Sequence, residues 1–162
     1  IAADAVLARS ISEADRLWTV RDSAGQLIPT LPNPISYDVS MPIAEMSDYL
    51  AAVEKRVAPI LGPEPLWVFG HLGDGNLHYN IQCPEGADAA HFLKTHEPQV
   101  NELVYEAVMA FGGSVSAEHG IGRLKVNSLP RYKDPVALQL MHRIKHALDP
   151  YNLINPGRVL KA

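Results

Sequence analysis

The dipeptide Asp74-Gly75 stands between two apolar runs, Leu66 to His71 and Leu77 to Gln82, and no other feature restricts the folding of this chain so strongly. Asp-Gly flanked by apolar segments is the signature of a two-residue hairpin turn. Centring the turn on it pairs position 73 with 76, 72 with 77, and His71 with His78. Side chains directly opposed across antiparallel strands have Cβ atoms roughly 4.5 to 5.5 Å apart, a separation that suits two imidazoles sharing one divalent ion. Asn80 lies two residues beyond His78 and points to the same face. The plainer alternative makes one histidine a core residue and the glycines of Gly70-His71-Leu72-Gly73-Asp74-Gly75-Asn76-Leu77-His78 mere turn formers; a register that puts both imidazoles on one side favours the clasp.

The rest of the chain arranges itself around this hairpin. Ala2 to about Val20 has helical spacing of Val6, Ile11, Ala14, Leu17 and Trp18, ended by Gly25 and followed by an extended loop with Pro29, Pro32 and Pro34. Ile35 to Met41 alternates apolar with polar, the period of a strand with one face in a core. Pro42 opens a helix to about Leu61, which Gly62-Pro63 stops. A helix is expected over Glu97 to Phe111, closed by Gly112-Gly113, then a short strand over Ser114 to Ala117 and a last helix from Asp134-Pro135 to Leu148. Strand, helix, strand, strand, helix, strand is the split βαβ order. The fold is therefore expected to be α+β, a ferredoxin-like antiparallel sheet with helices on one face and extra terminal helices. Leu66 to Gly70 does not alternate and reads as a strand buried on both faces, so something outside the domain, such as a dimer partner or a cofactor domain, is expected to cover part of the open face.

Composition narrows the classes of function. A chain of 162 residues, 47% hydrophobic and 20% charged, suits one globular domain over residues 1–162. A net charge of -4 without a Lys/Arg cluster argues against nucleic acid and anionic membranes as partners. No apolar run approaches the ~20 residues of a membrane span. No signal peptide is read at Ile1, so a cytoplasmic setting is expected, or a mitochondrial one for a eukaryotic source. The single Cys83 excludes a disulfide framework and a cysteine zinc site. His91, His96, His142 and His146 show no partner pattern, and Arg123, Lys125, Arg131 and Lys133 read as a solvated basic face, with docking of phosphate or of an electron acceptor as the alternative. No G-x-G-x-x-G or P-loop supplies a phosphate cradle.

Three ordered motifs now carry a resemblance. The segment from Gly70 to His78, Ser116-Ala117-Glu118-His119-Gly120-Ile121-Gly122, and Leu148-Asp149-Pro150 with Asn155-Pro156-Gly157 resemble the C-terminal domain of FAD-linked oxidases and 2-hydroxy-acid dehydrogenases. Leu17-Trp18 with Arg21, and Tyr37 to Pro42, extend the likeness over nearly the whole chain. The resemblance implies that His71, His78 and Glu118 ligate a divalent ion, zinc or manganese, and that His119 is the catalytic base. It implies substrate contacts from Arg21 and Asn80, with Arg21 pairing a carboxylate, and cofactor contacts from Asn76 and Asn155. By default Arg21 is a helix-end cation and Asn80 a sheet-edge hydrogen-bonding residue. FAD would be held mainly by a separate N-terminal domain, and a chain opening at Ile1 without methionine is what a piece of such a protein would show. Relatives acting on 2-hydroxyglutarate carry a lysine where Ser36 stands and a threonine where Gly25 falls in ungapped alignment, so the far end of the substrate is not read from those positions.

The expected chemistry follows. Two imidazoles and a carboxylate leave open coordination positions for a substrate hydroxyl and carboxylate, His119 takes the hydroxyl proton, and hydride goes from C2 to the flavin. A metal-dependent hydrolase using the same donors, and a non-catalytic ferredoxin-like binding module, are the competing readings. A homodimer is a further expectation; the electron acceptor leaves no trace in the sequence.

Overall fold

The computed structural model describes residues 5–30, 35–62, 66–84 and 86–161. Three strands, β1 (Ile35–Ser40), β2 (Leu66–His71) and β3 (Asn76–Ile81), form an antiparallel sheet in the order β1-β3-β2. With β3 between them, β1 and β2 run parallel to one another, and the helix α3 (Met46–Leu61) connects them: the split βαβ unit. A second helix, α4 (Ala89–Ala110), follows β3. The fourth strand expected over 114 to 117 is reduced to one antiparallel bridge between Ser40 and Ser114, because the chain then turns its N–H groups away from the sheet edge toward a side chain described below. Short helices α1 (Ile11–Asp22), α2 (Ala24–Leu27) and α5 (Leu129–Tyr132) and the longer α6 (Pro135–Leu148) complete the α+β fold.

Alternation decides which side of the sheet is core. Ile35, Tyr37 and Val39 of β1 and Leu77, Tyr79 and Ile81 of β3 are buried in one cluster with Tyr49, Val53 and Val57 of α3 and Val100, Val104 and Val108 of α4. Each such aliphatic side chain contributes about 1.5 to 3 kcal/mol on full burial. Tyr37 meets Tyr79 and Tyr105 at ring separations of 6.1 and 5.7 Å, and Cys83 is buried at the end of the sheet as a small core residue. The opposite face carries Ser36, Asp38, Asn76, His78, Asn80 and His71. The charged, imidazole and amide side chains of the three strands thus lie on the side away from α3 and α4.

Several expectations are corrected. The helix expected from Ala2 begins at Ile11, where Ser10 caps it by accepting from the Glu13 N–H, while residues 1–4 lie outside the described residues. Pro32, Pro34 and Pro63 also lie outside them. Gly25 does not end helical structure but sits within α2. α3 is preceded by a 3-10 turn, Ile43–Glu45. α4 starts at Ala89 rather than near Glu97, because the Asp88 carboxylate accepts from the N–H groups of Ala90 and His91 and the helix tolerates Pro98 inside it. β2 is an edge strand, with Trp67 and Val68 each 37% exposed, and the strand buried on both faces is the central β3.

The C-terminal segment is held by one acid. Asp149 accepts from the backbone N–H groups of Leu153 and Ile154 at 2.8 and 2.9 Å and pairs with Lys145 of α6. Its hydrogen bond to the Lys145 ammonium, reinforced by those N–H groups, holds the Asp149 carboxyl down at about 2. A carboxyl lowered in this way contributes stability that is complete above the ordinary carboxylate range near 3.8 and is lost as pH falls through about 2. Amide protection factors of Leu153 and Ile154 should therefore drop across that acid window and stay flat in Asp149→Asn; protection that persists below it would show that the segment is held otherwise.

Candidate active site

The hairpin turn differs from a two-residue turn. Leu72–Asp74 forms a 3-10 turn and Gly75 closes it in the left-handed region at φ 71°, with the Gly75 N–H donating to Leu72 O. Gly75 is required twice over, since a Cβ there would also run into the Met41 carbonyl oxygen. The longer turn shifts the pairing by two residues, to His71↔Asn76 and Phe69↔His78. A shift by an even number keeps every side chain on its face. His71 and His78 therefore still share the polar face, but diagonally, with ring centroids 6.3 Å apart.

The carboxylate of Glu118 fills the space between them. One oxygen lies 2.8 Å from His71 Nδ1 and the other 3.2 Å from His78 Nε2. The His119 ring stacks on that of His78 at 5.3 Å and 27°, itself 68% exposed. The three donors expected to share an ion do not form one compact group. Among the described residues, ligand atoms within 4.8 Å of one another fall into two sets, Asp38, His78, Glu118 and His119, and His71, Asp74 and Glu118, which have Glu118 in common.

Asp38 organises this loop, and no sequence signal singled it out as a site residue. One of its oxygens accepts the consecutive backbone N–H groups of Ala117, Glu118 and His119 at 3.1, 2.9 and 2.8 Å, and the other accepts from Asn76 Nδ2 at 3.1 Å. Burial pushes its carboxyl up, but the His119 and Glu118 N–H groups, with the nearby His119 ring and Lys125, hold it below the ordinary carboxylate range. Asp38 is the cross-strand neighbour of His78, with His78 Nδ1 3.9 Å from its carboxylate. Lys125 sits beneath, donating to Asp38 O and Val115 O at 3.3 and 2.7 Å. Burial lowers its ammonium pKa against the pull of Asp38, so Lys125 is no member of a solvated basic face. Arg131 of that stretch pairs with Glu102.

The other expected site residues are placed as follows. Arg21 of α1 is exposed, pairs with Asp22 and donates from Nη2 to Gly70 O at 3.3 Å, which brings its guanidinium to the residue before His71. Asn80 is buried beside Trp67 and donates to its carbonyl at 3.2 Å. Asn76 is buried against Asp38, and its own side-chain oxygen is buried without a hydrogen-bond partner. Asn155 is exposed in the left-handed region at φ 48°, its carbonyl accepting from the Arg158 N–H.

One family model, described as FAD linked oxidases, C-terminal domain, matches residues 1–159. The chain belongs to this family. It is similar to the D-2-hydroxyglutarate dehydrogenase of Xanthomonas citri pv. viticola, 35% identical over 158 residues that make up 98% of this chain and 33% of that protein. The mitochondrial D-2-hydroxyglutarate dehydrogenase of Arabidopsis thaliana is 34% identical over 99% of this chain and 27% of its own length. A D-2-hydroxyglutarate–pyruvate transhydrogenase of Saccharomyces cerevisiae is 32% identical, again over 97% of this chain and 32% of the relative. This FAD-linked oxidase domain thus spans about a third or less of these relatives. Among its described residues no helix is long and apolar enough to cross a membrane.

Proposed function

We propose that this domain supplies the substrate side of an FAD-dependent dehydrogenase that oxidises a D-2-hydroxy acid to the 2-oxo acid, together with an FAD-binding domain. The observation that carries the reading is the Glu118 carboxylate set between His71 Nδ1 and His78 Nε2 with His119 stacked beside them. Membership of the FAD-linked oxidase family favours redox chemistry over the hydrolase that the same donors would also serve.

In type the donors suit a divalent ion such as zinc or manganese: two imidazole nitrogens, 2.8 and 3.2 Å from the partly exposed Glu118 carboxylate that both groups of donors share, with the His71 and His78 rings having to draw closer for all three to hold one ion. Held by His71, His78 and Glu118, such an ion would supply Lewis acidity toward the substrate hydroxyl, and the flavin would supply the hydride acceptor. His119 takes the hydroxyl proton on its ring, whose Nδ1 lies 4.0 Å from the Asp38 carboxylate. Asp38 also fixes the backbone from which both Glu118 and His119 project. Arg21 holds a carboxylate of the substrate near the end of β2. Asn80 and Asn76 line the same face and order its polar atoms.

Dye reduction by the FAD-loaded enzyme containing this domain, with D-lactate, glycolate, D-malate and D-2-hydroxyglutarate as donors, tests the reading. At least one acid should be oxidised, a chelator should abolish the activity, and zinc or manganese should restore it. His78→Ala should lose the ion and the activity together. Release of a hydrolysis product without any electron acceptor would overturn the proposal.

A further inference from the structure

Beside His119 the protein surface opens into a cleft of about 670 Å³ whose walls include Ser36, Asp38, Arg123, Lys125 and Arg158. This is the size range of small-molecule sites. The charges on its walls are not equally available. Asp38 is consumed by backbone N–H groups, and Lys125 by two backbone carbonyls. Arg123 and Arg158 have no hydrogen-bond or ion-pair partner for their guanidinium groups among the described residues. They come from distant parts of the sequence, and the bond from the Val159 N–H to Gly122 O, 2.9 Å long, brings their backbones side by side. Ser36, exposed and short, leaves the neighbouring part of the β1 face open.

We propose that Arg123 and Arg158 form an anion subsite that binds a second acidic group of the substrate, at the end remote from the carbon that reacts near His119. The proposal rests on His119 being the base, and it makes the two arginines specificity-determining residues: they select hydroxy acids with a second carboxylate over monoacids of the same length. Guanidinium groups suit this work because their planar donor forks match a carboxylate and keep their charge throughout the working pH range.

The test uses the FAD-loaded enzyme with D-2-hydroxyglutarate and D-2-hydroxyvalerate, which differ in the second carboxylate and share their chain length. The double variant Arg123→Gln/Arg158→Gln should raise KM for the diacid about tenfold or more, the scale of charge-assisted hydrogen bonds, with kcat retained and kcat/KM for the monoacid unchanged. Equal losses on both acids, or no loss on either, overturn the proposal. Loss of bound FAD in the variant also overturns it, by assigning the arginines to the cofactor's phosphates. Titration of the metal-free, FAD-loaded enzyme with glutarate, followed on the arginine Nε–H resonances by NMR, separates this inference from the reading of the whole enzyme. Shifts of Arg123 and Arg158 in a protein that oxidises neither acid support the subsite and sink the dehydrogenase; unmoved resonances sink the subsite whatever the enzyme does.

Discussion

Replacing His119 by Asn in the FAD-loaded enzyme is expected to lower kcat by about 10² to 10⁴-fold, the contribution of a positioned general base. The exposed imidazole stacks on His78, and the backbone N–H of His119 donates to Asp38. Asparagine keeps that backbone bond and a polar side chain of similar reach but takes up no proton. Because the side chains of His71, His78 and Glu118 are untouched, metal content should equal that of the parent, and KM should move little. That pairing of a large loss in kcat with intact metal separates a base from a ligand. A variant that turns over at the parental rate would assign the proton to another group.

Asp38→Ala is expected to be the most damaging single change to the architecture of the site. It leaves the N–H groups of Ala117, Glu118 and His119 and the side-chain amide of Asn76 without their acceptor at a position only 2% exposed. Hydrogen bonds to a charged group contribute about 1.5 to 3 kcal/mol each, but bonds that share one carboxylate are not additive and water reaches part of the loop, so a loss of about 3 to 5 kcal/mol is expected. Urea denaturation of the chain measures it. Asp38→Asn keeps an acceptor oxygen and the volume, and should fold with a smaller loss while amide exchange at 117–119 rises. A fully stable Asp38→Ala would mean that the loop is held by its own contacts.

The architecture was legible where pattern and physics are local. The apolar alternation of Ile35, Tyr37 and Val39, the caps of α6, and the hairpin itself followed from neighbouring residues. The register did not, because Leu72–Asp74 coils into a 3-10 turn that Asp-Gly statistics do not foresee; its even offset is why the shared face of His71, His78 and Asn80 survived the error. The start of α4 was hidden by Pro98, which mimics a helix boundary. Asp38 stayed invisible as a site residue because its partners are backbone groups far along the chain, and a backbone N–H carries no letter in a sequence. Arg158 was equally silent: only the tether from Val159 to Gly122 brings it beside Arg123. Lys125 looked like surface charge because nothing in its neighbours reveals that two carbonyls enclose its ammonium.

The two-residue period of β1 and β3 divides labour along a single thread. Ile35, Tyr37 and Val39 serve the interior, while the intervening Ser36 and Asp38 serve the ligand side, and Leu77, Tyr79 and Ile81 alternate with Asn76, His78 and Asn80 in the same way. Polar positions of the open face and apolar positions that pack the core are thus interleaved in sequence yet separated in space by the thickness of the sheet. A lineage, or a protein engineer, can vary Ser36 or the arginines facing it across successive generations while the hydrophobic half of each strand goes on folding unchanged. The polar face of such a sheet is free to drift faster than its backbone.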